Sequence, residues 1–230
     1  MESFEAFEAK VGVSFADEAL IKQAFTHRSY VNEHKGERLE HNERLEFLGD
    51  AILELAVTEF LFGKYPDKPE GELTSLRAAL VNTQSISDAA VKLGMNDFLL
   101  LSKGEAKDTG RARQFILANT YEAFIGAVYL DRGYDAARMF IENTLFHKID
   151  GIVKARLWQD AKSRFQELSQ EHLSVTPLYN LLSETGPDHD KVFTAGVYLG
   201  SDLVAKGEGR SKQEAEQSAA ENALEAKGWA

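Results

Sequence analysis

Apolar residues recur every three to four positions through most of residues 1–148, the spacing of a single buried helical face. This spacing predicts helices over 20–30, 40–62, 73–93, 115–130 and 134–146. Gly94 and Gly133 follow two of these runs and read as stops. Tyr65-Pro66-Asp67-Lys68-Pro69-Glu70-Gly71 carries loop chemistry, and 102–110 is a polar, glycine-bearing loop. After residue 148 the pattern changes. Residues 149–159 read as a connector, and 161–172 as an amphipathic helix. Residues 178–183, 192–199 and 202–206 are strand-like, separated by turn residues at Thr185-Gly186-Pro187-Asp188 and Gly200-Ser201. Residues 211–227 form an alanine-rich helix. The expected fold is therefore mainly α: an all-helical domain over 1–148, a linker over 149–159, and a small α+β module of order α-β-β-β-α over 160–230.

The helix over 40–62 is unusual on its polar side. Glu43, Glu46 and Asp50 fall within one arc of about 60° when placed at ~100° per residue. Leu45, Leu48, Ile52 and Leu55 lie on the other side and read as a core stripe. No lysine shares the acidic arc, and like charges at i, i+4 repel. A solvated acidic face is the ordinary explanation of such a run. Phe47 argues against it, because its ring lies on the acidic side, away from the core. A carboxylate set of this kind suits a hard divalent cation. The apolar helix over 115–130 carries a further carboxylate, Glu122, one turn after Asn119. Ala123 and Gly126 flank that face and leave room for a second backbone, or simply for tight packing. A carboxylate in so apolar a helix needs a partner.

Bulk composition narrows the classes. The chain has 230 residues, a net charge of −11 and no cysteine, so disulfides, zinc–thiolate sites and cysteine nucleophiles are excluded. The acidic N-terminus lacks a signal-peptide pattern, and no apolar run reaches the ~20 residues of a membrane span. A cytoplasmic protein without membrane partners is the expectation. Net acidity does not advertise nucleic-acid binding, so any such role must rest on local cations or bridging metal ions. His27 and His41 have no ligand partner at i+3 or i+4 and read as structural hydrogen-bonding residues.

The run His41-Asn42-Glu43-Arg44-Leu45-Glu46-Phe47-Leu48-Gly49-Asp50-Ala51 resembles the signature of bacterial-type ribonuclease III. Phe25-Thr26-His27-Arg28-Ser29-Tyr30, Glu70-Gly71-Glu72-Leu73 and Glu122-Ala123-Phe124-Ile125-Gly126-Ala127 support the resemblance. The C-terminal module is similar to a double-stranded-RNA-binding domain, through Lys162-Ser163-Arg164-Phe165-Gln166-Glu167-Leu168, Gly186-Pro187-Asp188-His189 and Gly209-Arg210-Ser211-Lys212. The resemblance covers essentially the whole chain. It implies an endoribonuclease that cuts double-stranded RNA as a homodimer, with Mg²⁺ as cofactor and Mn²⁺ as a substitute. It further implies 5′-phosphate and 3′-hydroxyl ends and a place in rRNA and mRNA processing. By motif position, Glu46, Asp50, Asn119 and Glu122 would ligate metal. Asp50, Glu122, Glu43 and Glu70 would form the catalytic acids, and Phe47 would anchor the dimer. Gln166, Glu167, His189, Arg210, Ser211 and Lys212 would contact RNA, with Lys206 as a nearby cation.

Two departures accompany the resemblance. The family pattern Ser-Ile-Leu-Ala-Asp reads Phe115-Ile116-Leu117-Ala118-Asn119 here, so a neutral amide stands where a metal-ligating aspartate is expected. Weaker metal binding follows from the lost charge. Three readings are open: a chain altered to trap substrate, a double-stranded-RNA-binding member with reduced or no activity, and a member whose other carboxylates suffice. The second departure is charge: residues 160–230 hold 7 Lys and Arg against 12 Asp and Glu, and Lys212 is followed by Gln213 rather than a second lysine. Modest RNA affinity with a shallow salt dependence is expected.

Overall fold

The computed structural model describes residues 3–36, 39–155, 158, 160–187 and 191–229. The chain divides into two compact units, 1–158 and 159–230. The first contains α1 (Phe4–Val11), α2 (Glu18–Ala24), α3 (Arg28–Glu33), α4 (Glu43–Lys64), α5 (Glu70–Val81), α6 (Thr83–Lys92), α7 (Arg111–Arg132), α8 (Tyr134–Leu145) and α9 (Ile149–Lys154). The second contains α10 (Ala161–Leu173), β1 (Leu178–Thr185), β2 (Val192–Leu199), β3 (Asp202–Gly209) and α11 (Lys212–Lys227).

The long helices α4 and α7 form the centre of the first unit. Leu53, Ala56, Val57 and Leu61 on α4, with Tyr121, Phe124, Ile125 and Val128 on α7, are essentially inaccessible to solvent. Phe7, Phe25, Phe98, Phe124 and Phe140 form an aromatic cluster around this pair, with the Phe7 and Phe25 rings edge-on at 5.1 Å. Such rings combine a large buried apolar area with directional packing. The apolar stripe of α4 drifts as the helix lengthens, so Leu55 lies outside it and is half exposed rather than part of the core.

Several elements differ from the sequence reading: α1 lies where no helix is predicted, α7 begins four residues earlier than expected, and three further departures have a clear local cause. The predicted helix over 73–93 is two helices, broken at Asn82, whose backbone is extended (φ −64°, ψ 158°) and whose Oδ1 accepts the Ser85 N–H at 2.8 Å. An asparagine that caps the next helix is a sufficient physical reason for the break. The predicted segment 20–30 is likewise split, with His27 capping α3 through the Ser29 N–H. The expected connector at 149–159 begins as α9, because Ile149 and Ile152 share one face and are buried. Gly94 does end a helix, in the left-handed region at φ 73°.

In the second unit the strands pair antiparallel in the order β1-β2-β3. Phe165 of α10, Val197 of β2 and Ala219, Ala220 and Ala223 of α11 form a small core. Alanine predominates in α11 because β3 approaches closely. A Cβ on Gly207 would stand 2.0 Å from the Ala219 nitrogen, and one on Gly209 would stand 2.6 Å from the Ala215 nitrogen.

Candidate active site

The site is created by a backbone contact. A Cβ on Gly49 would lie 1.8 Å from the Glu122 carbonyl oxygen, and one on Gly126 would lie 2.3 Å from the Leu45 carbonyl oxygen. Only hydrogen fits at either position, so α4 and α7 touch along an antiparallel register that sets residue 49 against 122 and residue 45 against 126. Gly126 was legible in the sequence as room for a neighbour. Gly49 was not singled out, although a glycine inside an otherwise strong helix is itself the signal.

This contact brings Glu46 and Asp50 of α4 together with Asn119 and Glu122 of α7. Glu122 is half-buried, and its carboxyl is pushed up to about 8, first by loss of water and then by the charges of Asp50, Glu46 and Glu54. The Glu46 carboxyl is also raised, by burial, by Glu43 and by Asp50, while a hydrogen bond from the Asn119 side chain opposes the shift. Sequence reasoning missed Glu54. It lies one turn beyond Asp50 and is ion-paired to Arg77 of α5, with Nε 2.7 Å from Oε2. The i, i+4 spacing from Asp50 would have found it.

The remaining acids lie at the edges. Glu43 opens α4 and lies between two side chains, 3.3 Å from an Arg28 guanidinium nitrogen and 3.7 Å from His41 Nδ1. Glu70 is not in a loop. It is the first residue of α5 and is exposed, and among the described residues no hydrogen bond or ion pair links it to Glu46, Asp50 or Glu122. His27 accepts from the Ser29 N–H at 3.3 Å, and burial lowers its ring from the ordinary histidine value. Phe47 is 82% exposed and projects from the same end of α4.

Whether these residues suit a divalent cation is a question of donors and charge. Glu46, Asp50 and Glu122 offer only oxygen, the donor that Mg²⁺ prefers. Three carboxyls share the site, and the Glu122 carboxyl is driven to about 8 first by burial and then by its acidic neighbours, both of which disfavour its anion until a cation joins it. The donor chemistry therefore fits. The ring is open, however. Among the described residues no three His, Asp or Glu side chains are gathered into a ready-made cage, and Asn119 is turned toward Glu46.

In the second unit Gln166 and Glu167 are exposed on α10, opposite the face that buries Phe165. Ser211 caps α11: its Oγ accepts the Glu214 N–H at 3.1 Å, and Glu214 Oε2 in turn accepts the Arg210 N–H at 2.8 Å. These two bonds fix the helix start and leave the Arg210 and Lys212 side chains exposed beside it. Lys206 is exposed on β3. His189 lies outside the described residues.

Comparison with known proteins gives a consistent result. Residues 17–149 match the family model described as Ribonuclease-III-like, and residues 161–227 match the double-stranded RNA binding motif. The chain is similar to Ribonuclease 3 of Listeria monocytogenes serotype 4a, with 46% identity over 97% of each chain. It is similar to Ribonuclease 3 of Geobacillus kaustophilus, with 50% identity over 96% of this chain and 90% of that protein. Among solved structures it resembles the nuclease domain of the Campylobacter jejuni ribonuclease III, at 39% identity and a TM-score of 0.56, over 62% of this chain and 98% of that one. That structure was described for structural flexibility in a region involved in dimer formation.

Proposed function

The chain belongs to the ribonuclease III family and is an endoribonuclease, and we propose that it cuts double-stranded RNA by Mg²⁺-assisted hydrolysis at the carboxylates joined across α4 and α7. The observation that carries this reading is Glu122, half-buried against Asp50 and Glu46 with its carboxyl raised to about 8. Such a group is unstable as an anion until a cation joins it.

Glu46, Asp50 and Glu122 would hold the ion, with Asn119 contributing its amide oxygen or holding Glu46 by its N–H. A bound Mg²⁺ supplies an activated water and stabilises charge on the leaving oxygen, and Mn²⁺ is expected to substitute. The helix pair fixes the relative positions of Glu46, Asp50 and Glu122, because sliding would carry a residue with a Cβ into the place of Gly49 or Gly126, where only hydrogen fits. Attack of water on phosphorus with breakage of the P–O3′ bond, the 3′-oxygen leaving and taking up a proton, would give 5′-phosphate and 3′-hydroxyl ends, as expected of an enzyme in rRNA and mRNA processing. In the second unit, Gln166, Glu167 and His189 would meet the minor grooves, and Arg210, Ser211 and Lys212 the phosphates between them.

Phe47 is the proposed anchor of a homodimer. It lies on one stripe of α4 with Leu55 and with Phe62, which is 73% exposed. Three apolar side chains on one exposed stripe suit a partner surface. Phe47→Ala is expected to shift the protein toward monomer in sedimentation; an unchanged dimer removes it as anchor.

The hydrogen bond between Asn119 and Glu46 favours a second reading, a duplex-RNA-binding member that does not cut. Incubating the chain and an Asn119→Asp variant with long duplex RNA and Mg²⁺ separates the two. Cleavage by both supports the proposal. Cleavage by Asn119→Asp alone supports the second reading, and cleavage by neither, with the fold intact, defeats the proposed site.

A further inference from the structure

An acidic face repels the RNA backbone, so a productive site also needs fixed cations at its rim. Arg28 stands at such a place, and the fold holds it there firmly. The turn that precedes α3 is tied to the residue that precedes α4: the Asn42 N–H donates to the Thr26 carbonyl at 2.9 Å, and Asn42 Nδ2 donates to the Ala24 carbonyl at 3.1 Å. Two more backbone bonds tie the same turn to Leu100, from the His27 N–H to the Leu100 carbonyl at 3.0 Å and from the Leu100 N–H to the Phe25 carbonyl at 2.9 Å. Thr26 and Asn42 are buried, which makes these bonds hard to exchange for water.

The result is a charged side chain set on a rigid mount. One guanidinium nitrogen of Arg28 lies 3.3 Å from Glu43 Oε1, and the Arg28 side chain is still 66% exposed. The other carboxylate oxygen of Glu43 lies 3.7 Å from His41 Nδ1. An ion pair this exposed adds little to stability, so holding the fold together is a poor account of it. The guanidinium has five N–H donors in one plane, and a single long contact with Glu43 leaves most of that fork uncommitted. Glu43 is one helical turn from Glu46, which puts the cation beside the proposed catalytic face.

We propose that Arg28 contacts a backbone phosphate of the duplex RNA at the rim of the acidic face, and that Glu43, held against His41, is the positioning residue that aims it. This rests on the reading that the α4–α7 face cuts RNA. It gives Glu43 a positioning role in place of the catalytic-acid role that the resemblance implied, in keeping with its Arg28 and His41 neighbours.

The test uses the full chain with Arg28→Gln, Arg28→Lys, Glu43→Gln and the Arg28→Gln/Glu43→Gln double variant. Binding of an RNA duplex is titrated against salt on the Glu122→Gln background with Mg²⁺ present, and cleavage kinetics are read with Glu122 intact. Arg28→Gln should weaken binding about 5- to 10-fold and lower the slope of log K against log salt by about one. It should raise KM, with kcat within about two-fold of the parent and the melting temperature unchanged. Arg28→Lys, which keeps the charge but not the fork, should recover part of the binding and restore the salt slope. Glu43→Gln should shift KM in the same direction, and the double variant should be no worse than Arg28→Gln alone. An unchanged salt slope, a loss of melting temperature that lysine does not rescue, or additive losses in the double variant would overturn the proposal. Failure of the parent chain to cut duplex RNA would defeat the cleavage reading instead, and the binding titration would still report on Arg28.

Discussion

In the nuclease unit Gly49 and Gly126 let α4 and α7 meet backbone to backbone, and in the RNA-binding unit Gly207 and Gly209 let α11 lie on β3 in the same manner. What each contact brings together differs. Between α4 and α7 it gathers Glu46, Asp50 and Glu122, where burial first, and then the neighbouring carboxylates, raise two of the carboxyls. Between β3 and α11 it gathers Ala215, Ala219 and the glycines themselves, and the charged residues Lys206, Arg210 and Lys212 stay in water. The same steric device thus serves a strained polar centre in one unit and a relaxed apolar seam in the other. A strained acidic centre of the first kind marks a candidate active site, whereas a surface that meets RNA by shape can rest on a well-placed helix end.

The sharpest way to break this contrast is to fill the glycines. Gly49→Ala should destabilise the nuclease unit by about 2–3 kcal/mol in thermal or denaturant unfolding, because its Cβ would meet backbone rather than a movable side chain. It should also abolish cleavage, since α7 must shift and carries Glu122 with it. Gly207→Ala should destabilise the RNA-binding unit to a similar extent and weaken RNA binding, yet leave kcat near normal at saturating RNA. If Gly49→Ala kept full activity, the backbone contact would not be what positions the acids.

A second, smaller effect is electrostatic and depends on pH. Without metal, the folded chain keeps a proton on Glu122 up to about pH 8, whereas the unfolded chain releases it near pH 4–5. The folded state therefore binds more protons between these values, and stability falls as pH rises from about 5 to 8, by at most about 1.4 kcal/mol per pH unit. Glu122→Gln should remove that fall: equal to the parent in melting temperature at pH 5, and higher at pH 8 in EDTA. Mg²⁺ should raise the melting temperature of the parent at pH 8 and not that of Glu122→Gln. Parallel pH profiles for the two proteins would mean that Glu122 is not strained.

The smallest effects belong to the solvated cations of the second unit. Arg210→Ala and Lys212→Ala should each weaken RNA binding several-fold, each lowering the salt slope by about one, with little change in stability. Salt titrations of binding check this. A parent slope as steep as that of strongly basic RNA-binding modules would contradict the count of cations around α11.

Much of this was legible before any coordinates. The order of the longer helices and of the strands followed from apolar spacing, although α1 was not foreseen, and the acidic arc on α4 together with Glu122 on α7 pointed to one site. The split at Asn82 was hidden because apolar spacing runs on through a cap, and α9 because a helix of so few residues carries almost no periodic signal. The position of Glu70 at the start of α5 was obscured by the prolines beside it. Partnerships that depend on tertiary approach, such as Arg28 with Glu43, Arg77 with Glu54 and Asn119 with Glu46, have no local signature, since their members come from different elements.

The central claim is that Glu122, set against Glu46 and Asp50 by the glycine contact, belongs to the metal site that cuts RNA. The most direct measurement compares the full chain and its Glu122→Gln variant on one long RNA duplex with Mg²⁺, recording bound and cut RNA in the same samples. The account predicts that both bind the duplex with similar affinity, and that the Gln variant loses at least about 10²-fold in cleavage rate, the scale expected when a metal-assisted step fails. Cleavage by Glu122→Gln at the parent rate would place the chemistry elsewhere and contradict it.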